Sequence, residues 1–425
     1  MFHLSLRKLA AFRVGLGLVL LFDLADRASA FRLHFTGDGV YPTQSGYPWV
    51  SLLSLSDSAL FQASFFAVAI SSALALTVGY RTRIATAVAW VCLYSIQSYA
   101  HVSHFSADDV ARLLLFWGIW LPLGAKWSID SRRSERAEVM APAAAAIFAQ
   151  VAVISFAAGL HKIFDPTWGE GWGVELALRA HGTALGLALT QLPPLTRALD
   201  FLTVALQVAG SVMLFVSPRL RTVGAVSLLG FQMALALCMD LSFFPFVTMV
   251  GLMLFLPDSL FGERGAKWER SLRALAVACA VGILIPALSL TKSEAITDFV
   301  RFLGLGQSWS MFAPPPTHLP WIVVKLQTAD GKEIDAATRE TFAGWETARE
   351  VRVPAGIRWA TLAFRLGEAS ELAPRIGHAI CRAWQADVPD VPMRESEVYL
   401  VVKDLRAREP SIEPHLLAQA PCKLR

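Results

Sequence analysis

Charge is scarce in this chain. Lys, Arg, Asp and Glu make up only 17% of its 425 residues against 55% hydrophobic ones, and the mean hydropathy is +0.48. That balance excludes an ordinary soluble domain and implies a polytopic membrane protein. Cysteine is scarce too: the five cysteines show no metal-type spacing. The net charge of +4 is small, and the basic residues fall in short loops rather than in one patch, so nucleic acid is not an expected partner. There is no internal repeat, and no low-complexity tract beyond the four alanines at 143–146. The first apolar run already contains charges and lacks the small-residue cleavage site of a removable signal peptide, so it is expected to be the first spanning helix.

What the sequence does have is apolar runs. Nine are long enough to cross a bilayer, at about 9–31, 59–78, 84–100, 110–125, 143–161, 196–216, 222–238, 244–257 and 272–290. The eighth is the shortest and could be re-entrant. Lys and Arg concentrate in alternate connections, from Arg7 and Lys8 to Arg270 and Arg273, whereas the opposite side holds only Arg32, Lys162 and Arg179 up to the ninth run. The asymmetry predicts a cytoplasmic N-terminus and an outward-facing tail. Four polar connections then share the outer side: 34–39, 101–109, 161–172 and 239–243.

Composition changes after residue 305, which divides the chain into a helical domain (1–305) and an extracytoplasmic domain (306–425). The Pro-rich 306–316 is expected to be a stiff connector. Strands follow at 321–327 and 333–335 around the Asp330-Gly331 turn, then a helix at 375–384 and a strand at 397–403, a small α+β tail. The fold class expected is therefore mainly α, a bundle of about nine spans with this tail attached. Cys381 and Cys422 are either paired across it or two free buried thiols.

Three constellations carry candidate chemistry. Asp23 and Arg27 are four apart in the first run and can pair on one helix face, chiefly as an architectural lock. His101, His104, Asp108 and Asp109 crowd one connection, where one carboxylate is expected to cap the next helix and leave His104 as a hydrogen-bonding partner or proton relay. His161 and Lys162 close the fifth run, followed by Asp165 and Trp168. Lys162 is either a snorkelling anchor or an amine buried among small residues (Ser155, Ala158, Gly159) and kept neutral as a base. Trp168, Trp172 and Trp309 are expected as interfacial aromatics, and Asp165 and Asp240 as helix caps or stops.

Several pieces together resemble the HTTM (horizontally transferred transmembrane) family, which is related to vitamin K-dependent gamma-carboxylase. They are RVGLGLVLLFDLADR (13–27), HFTGDGVYP (34–42), GYRTRIAT (79–86), RLLLFW with LPLGAKWSID (112–130), AGLHKIFDPTW (158–168), and QSWSMFAPPP followed by VVKLQTADGKEID. The resemblance implies a lysine base for deprotonating a reduced vitamin K or menaquinol-type quinol, at the second of two adjacent lysines. That position is Lys162, with His161 in place of the first. It also implies an active-site histidine, best matched by His104. The implied reaction couples quinol epoxidation to carboxylation of glutamate in a secreted peptide, without a metal. The partners would be membrane lipid, the quinol and the peptide, in a bacterial inner membrane. The competing expectation is a non-catalytic scaffold or accessory factor for maturation of a secreted peptide. A transporter is third, since no broken helices recur in matched halves.

Overall fold

The computed structural model describes residues 4–41, 50–132, 141–262, 279, 293–345, 356–367, 369–407 and 412–422. The molecule is mainly helical, with a small antiparallel sheet near the C-terminus. Its helical part contains α1 (Leu6–Ser29), α2 (Phe31–His34), α3 (Ala59–Val78), α4 (Thr82–Tyr99), α5 (Ser106–Gly118) and α6 (Ala141–Phe164). It continues with α7 (Pro166–Gly169), α8 (Gly173–His181), α9 (Ala184–Leu189), α10 (Pro193–Val216), α11 (Pro218–Cys238) and α12 (Phe244–Leu252).

Among the described residues, four helices are long and apolar enough to cross a membrane: α3, α6, α10 and α11. At 24 residues α1 is as long, but Arg13, Asp23 and Arg27 interrupt its apolar run. The helix expected over 110–125 starts earlier and stops at Gly118, because Pro122 and Gly124 lie in the succession of turns that follows. α12 is nine residues long and passes into a 3-10 turn, Met253–Phe255. The expected span at 272–290 lies outside the described residues, apart from Cys279.

The helix α6 lies at the centre, with most of its length buried, whereas α10 and α11 expose most of theirs. Small side chains make this position possible. A Cβ on Gly159 would lie 2.7 Å from Val208 Cγ2 and 3.0 Å from Gln207 Cβ, so the glycine is what lets α10 come so close to α6.

Just before residue 305 lies α13 (Glu294–Phe302), and the tail holds β1 (His318–Thr328), β2 (Glu333–Asp335), α14 (Gly356–Arg365), α15 (Ala373–Asp387), β3 (Met393–Asp404) and β4 (Ile412–Pro421). The sheet order is β2-β1-β3-β4, antiparallel throughout. β4 and α14 were not expected from the sequence. β4 is a largely exposed edge strand with two prolines, so it shows little alternation of apolar and polar residues. In α14 an arginine occupies the buried face. Cys381 on α15 and Cys422 just beyond β4 form a disulfide, with Cα atoms 5.8 Å apart.

The tail sits on one end of the helices. Arg375 donates to the carbonyls of Gly37, Gly39, Val40 and Tyr41 at 3.1–3.4 Å. Arg365 reaches the carbonyl of His101 (3.0 Å), and Arg179 on α8 that of Leu405 (2.7 Å). The connections after α2 and α4, and α8 itself, are thus gathered under a single cover.

Candidate functional site: a cavity beside Lys162

Lys162 is placed by the end of α6. Pro166 cannot extend that helix, and Asp165 instead opens α7, its Oδ1 accepting from the Thr167 N–H at 2.9 Å. The lysine lies one turn before this break and is only 4% exposed. Its Nζ donates to the Met311 carbonyl at 2.7 Å and to the Ala158 carbonyl at 3.3 Å, and lies 5.1 Å from the centre of a Trp168 ring. No carboxylate lies within salt-bridge distance of it among the described residues. The amine is therefore enclosed by protein rather than extended towards headgroups.

Trp168 is buried as well, and its indole N–H donates to the Phe312 carbonyl at 2.6 Å. Trp309 is fully buried, donating to Gln307 Oε1 at 2.8 Å. The expectation of interfacial aromatics therefore fails for these two, whose N–H groups find partners inside the protein. Trp172 is 44% exposed and suits it. Lys162 and Trp168 together hold two consecutive carbonyls of the connector, at Met311 and Phe312.

Beside them lies a cavity of about 740 Å³, lined mostly by apolar side chains from α6, α8, α10, α11, the connector and α14. Lys162, Trp168 and Phe312 contribute to one part of its wall, with His181 from α8 and Phe364 from α14. The His181 ring lies 5.7 Å from that of Phe312 and 5.9 Å from that of Phe364. Burial pushes the His181 imidazole below its ordinary value, with Asp240 opposing. His181 is thus a neutral donor or acceptor in an apolar wall, one that sequence reading passed over because nothing in it tied this residue to Lys162. Asp240 has its N–H bonded to the His181 carbonyl at 2.7 Å.

His104 and His161 are not in the cavity lining. His104 Nε2 is 3.0 Å from Asp109 Oδ1, and its Nδ1 is 3.6 Å from Asp108 Oδ2. Its sequence neighbours Phe105 and Ser106 do line the cavity. Arg112, one turn along α5, bonds to Asp109, to Gln97 Oε1 (2.6 Å) and to the carbonyls of Gly304 (2.7 Å) and Gly306 (3.0 Å). Among the described residues no cluster of His, Cys, Asp or Glu could hold a metal.

Asp108 belongs to a second buried centre. It accepts the Phe105 N–H at 3.2 Å, as a carboxylate in a first helical turn does, and also meets Arg27 at 2.7 Å and Arg358 at 3.0 Å. Arg27 bonds to Asp23 at 3.0 and 3.1 Å, and Arg358 reaches Asp23 as well. All four are at most 2% exposed. Two carboxylates and two guanidiniums thus form a buried cluster that ties α1, α5 and α14 together, with a third carboxylate, Asp26, 3.8 Å from Arg358 Nε at its edge. Burial alone would lower the Arg358 pKa, but Asp108 and Asp23 raise it, so the charge persists. Its guanidinium also lies 5.0 Å from the Phe105 ring centre, while His34 and Trp359 stack alongside at 6.0 Å. Arg358 carried no signal in the sequence beyond being a charge among the apolar residues of α14.

A family model described as the HTTM domain matches residues 4–259, about three-fifths of the chain, covering α1 to α12. No curated protein and no solved structure matches the chain.

Proposed function

We propose a function from one premise, that the chain belongs to the HTTM domain family, membrane proteins related to the gamma-carboxylase. On this reading it is a gamma-carboxylase-like lyase that oxidises a lipid quinol and carboxylates glutamate in a secreted peptide. The observation that carries it is the amine of Lys162, held in the wall of a mostly apolar cavity. A cavity of about 740 Å³ is within the range of small-molecule sites, and its composition suits a hydrophobic ring with a polyprenyl tail.

A reduced vitamin K or menaquinol-type quinol bound there would supply, with oxygen, the basicity needed to remove a glutamate γ-proton before carbon dioxide adds. The protein's own part begins at Lys162 Nζ, which takes a ring hydroxyl proton. The Met311 and Ala158 carbonyls orient the amine, and the Trp168 indole face covers it against water. His104 and His161 act as proton-handling neighbours, the first tied to Asp109 beside two lining residues, the second adjoining Lys162.

The same reading takes the chain to have nine spans, a cytoplasmic N-terminus and an extracytoplasmic tail in a bacterial inner membrane. Lys and Arg bias supports this, and so does the Cys381–Cys422 disulfide, which suits an oxidising compartment. The decisive measurement is carbon dioxide incorporation into a glutamate peptide together with quinol oxidation, in protein reconstituted into lipid. Lys162→Ala should lose both by at least about a hundredfold while still inserting; a variant that keeps both removes the proposal.

One observation favours a non-catalytic scaffold: the bond from Lys162 to Met311 would by itself pin the connector to α6. Lys162→Arg separates the two readings, because a permanent cation keeps the pin and loses the base.

A further inference from the structure

Arg13, GYRTRIAT (79–86) and LPLGAKWSID (121–130) take no part in the reading above. The structure brings them together at the ends of α4 and α5 that lie away from the tail. Backbone bonds join the two connections: the Ile129 N–H donates to the Val78 carbonyl at 3.2 Å and the Asp130 N–H to that of Gly79 at 3.0 Å. The Asp130 carboxylate accepts the N–H groups of Arg81 (2.9 Å) and Thr82 (2.7 Å) where α4 begins. Arg81 and Trp127 both take left-handed backbone, with φ of 43° and 50°, which is unfavourable for side chains of their size. Arg13 holds the second of them, its Nη2 donating to the Trp127 carbonyl at 2.6 Å, and it fits there because Gly79 has no side chain. The two connections thus form one braced surface, on which Arg81 and Trp127 are exposed.

That surface is positive. The side chains of Arg81, Arg83 and Lys126 are exposed and make no ion pair or hydrogen bond among the described residues. Tyr80 lies 5.9 Å from the Arg81 guanidinium and Trp120 5.5 Å from that of Arg83. Beneath them Arg13 is fully buried without a salt bridge among the described residues, and its Nε and Nη1 have no hydrogen-bond partner. Large apolar chains surround these cations: Tyr80, Ile84, Trp120, Trp127 and Ile129 are 42–59% exposed. Bulk water does not suit such a rim, whereas the border between acyl chains and headgroups does.

We propose that this surface docks the phosphate of an anionic phospholipid headgroup. Arg81, Arg83 and Lys126 meet the phosphate, and the buried charge of Arg13 deepens the positive potential behind them. The rings and isoleucines of the rim meet the upper acyl chains. A zwitterionic lipid brings its own cation to the same place and gains less. The site stands apart from the reaction proposed at Lys162, and either can fail without the other.

The test is native mass spectrometry of the full chain in detergent, with phosphatidylglycerol and phosphatidylcholine of the same acyl chains supplied together. Wild type should retain phosphatidylglycerol over phosphatidylcholine by at least about tenfold. In the Arg81→Gln, Arg83→Gln, Lys126→Gln triple variant that preference should fall severalfold. Arg83→Gln and Lys126→Gln alone, which leave the left-handed Arg81 in place, should each lose part of it at an unchanged melting temperature. The triple variant Lys267→Gln, Arg270→Gln, Arg273→Gln removes the same charge from another basic connection and should keep the preference. Equal loss in both triple variants overturns the docking site, because positive charge anywhere on that side would then suffice. A wild type that retains the two lipids equally overturns it as well. So does displacement of phosphatidylglycerol by inorganic phosphate, since a soluble anion would then be the ligand.

Discussion

Two of the places where this molecule buries charge do so in opposite ways. The Asp23–Arg27–Asp108–Arg358 cluster sets each charge against its opposite, with Asp26 at its edge. Lys162 has two carbonyls, an indole face and a cavity. A closed cluster resists change because each partner is already engaged, and it suits architecture. An amine facing a cavity still has something to react with. The first centre joins tail to bundle, and the second is where the proposed chemistry would take place.

The largest effect should come from opening the closed centre. Arg358→Met leaves two buried carboxylates with Arg27 alone, a loss of about 3–5 kcal/mol, seen as early release of the tail under limited proteolysis. If the variant is as resistant as wild type, the cluster does not hold the tail and the contrast collapses. Next in size, Cys381→Ser should cost about 2–4 kcal/mol, measured as a lower melting temperature. Because it loosens the tail without touching either set of charges, it shows how much of the first effect is tail packing alone. Lys162→Met should cost only about 1 kcal/mol while abolishing quinol oxidation; a stability loss matching that of Arg358→Met would make the lysine architectural too.

The last effect is absent at neutral pH and appears only in acid. Burial, then Arg358 and Arg27, lower the His34 pKa from 6.5 to about 3. The unfolded chain therefore takes up a proton before the folded one does. The stability due to the neutral ring is complete above about 6.5 and is lost as pH falls from there towards 3. His34→Gln should flatten the melting temperature across that window, and an unchanged slope would mean that the cluster does not register the histidine.

Part of both centres was legible in the sequence. The four-residue spacing of Asp23 and Arg27 showed a shared face, one of Asp108 and Asp109 read as a cap, and Lys162 stood out on the side poor in basic residues. Arg358 was not legible, since it lies 335 residues from the Asp23 that it meets and no local pattern encodes such a meeting. The Met311 carbonyl was equally silent, because every residue carries that group. Long apolar helices could be read by length alone, whereas the end of α5 at Gly118 depended on the turns that follow. The sheet was legible where its strands alternate and illegible at its edge. His181 went unnoticed because an isolated polar residue does not announce the cavity it lines.

The bond from Lys162 to Met311 also bears on how portable this architecture is. The matched HTTM region ends at residue 259, yet the carbonyl that seats the amine, the Phe312 that Trp168 holds, and the Phe364 of the cavity wall all come after it. A chain cut there would keep its lysine and lose its seat. The domain as matched thus does not enclose the cavity by itself, and grafting it elsewhere without Met311, Phe312 and Phe364 would transplant a pocket lacking part of its wall.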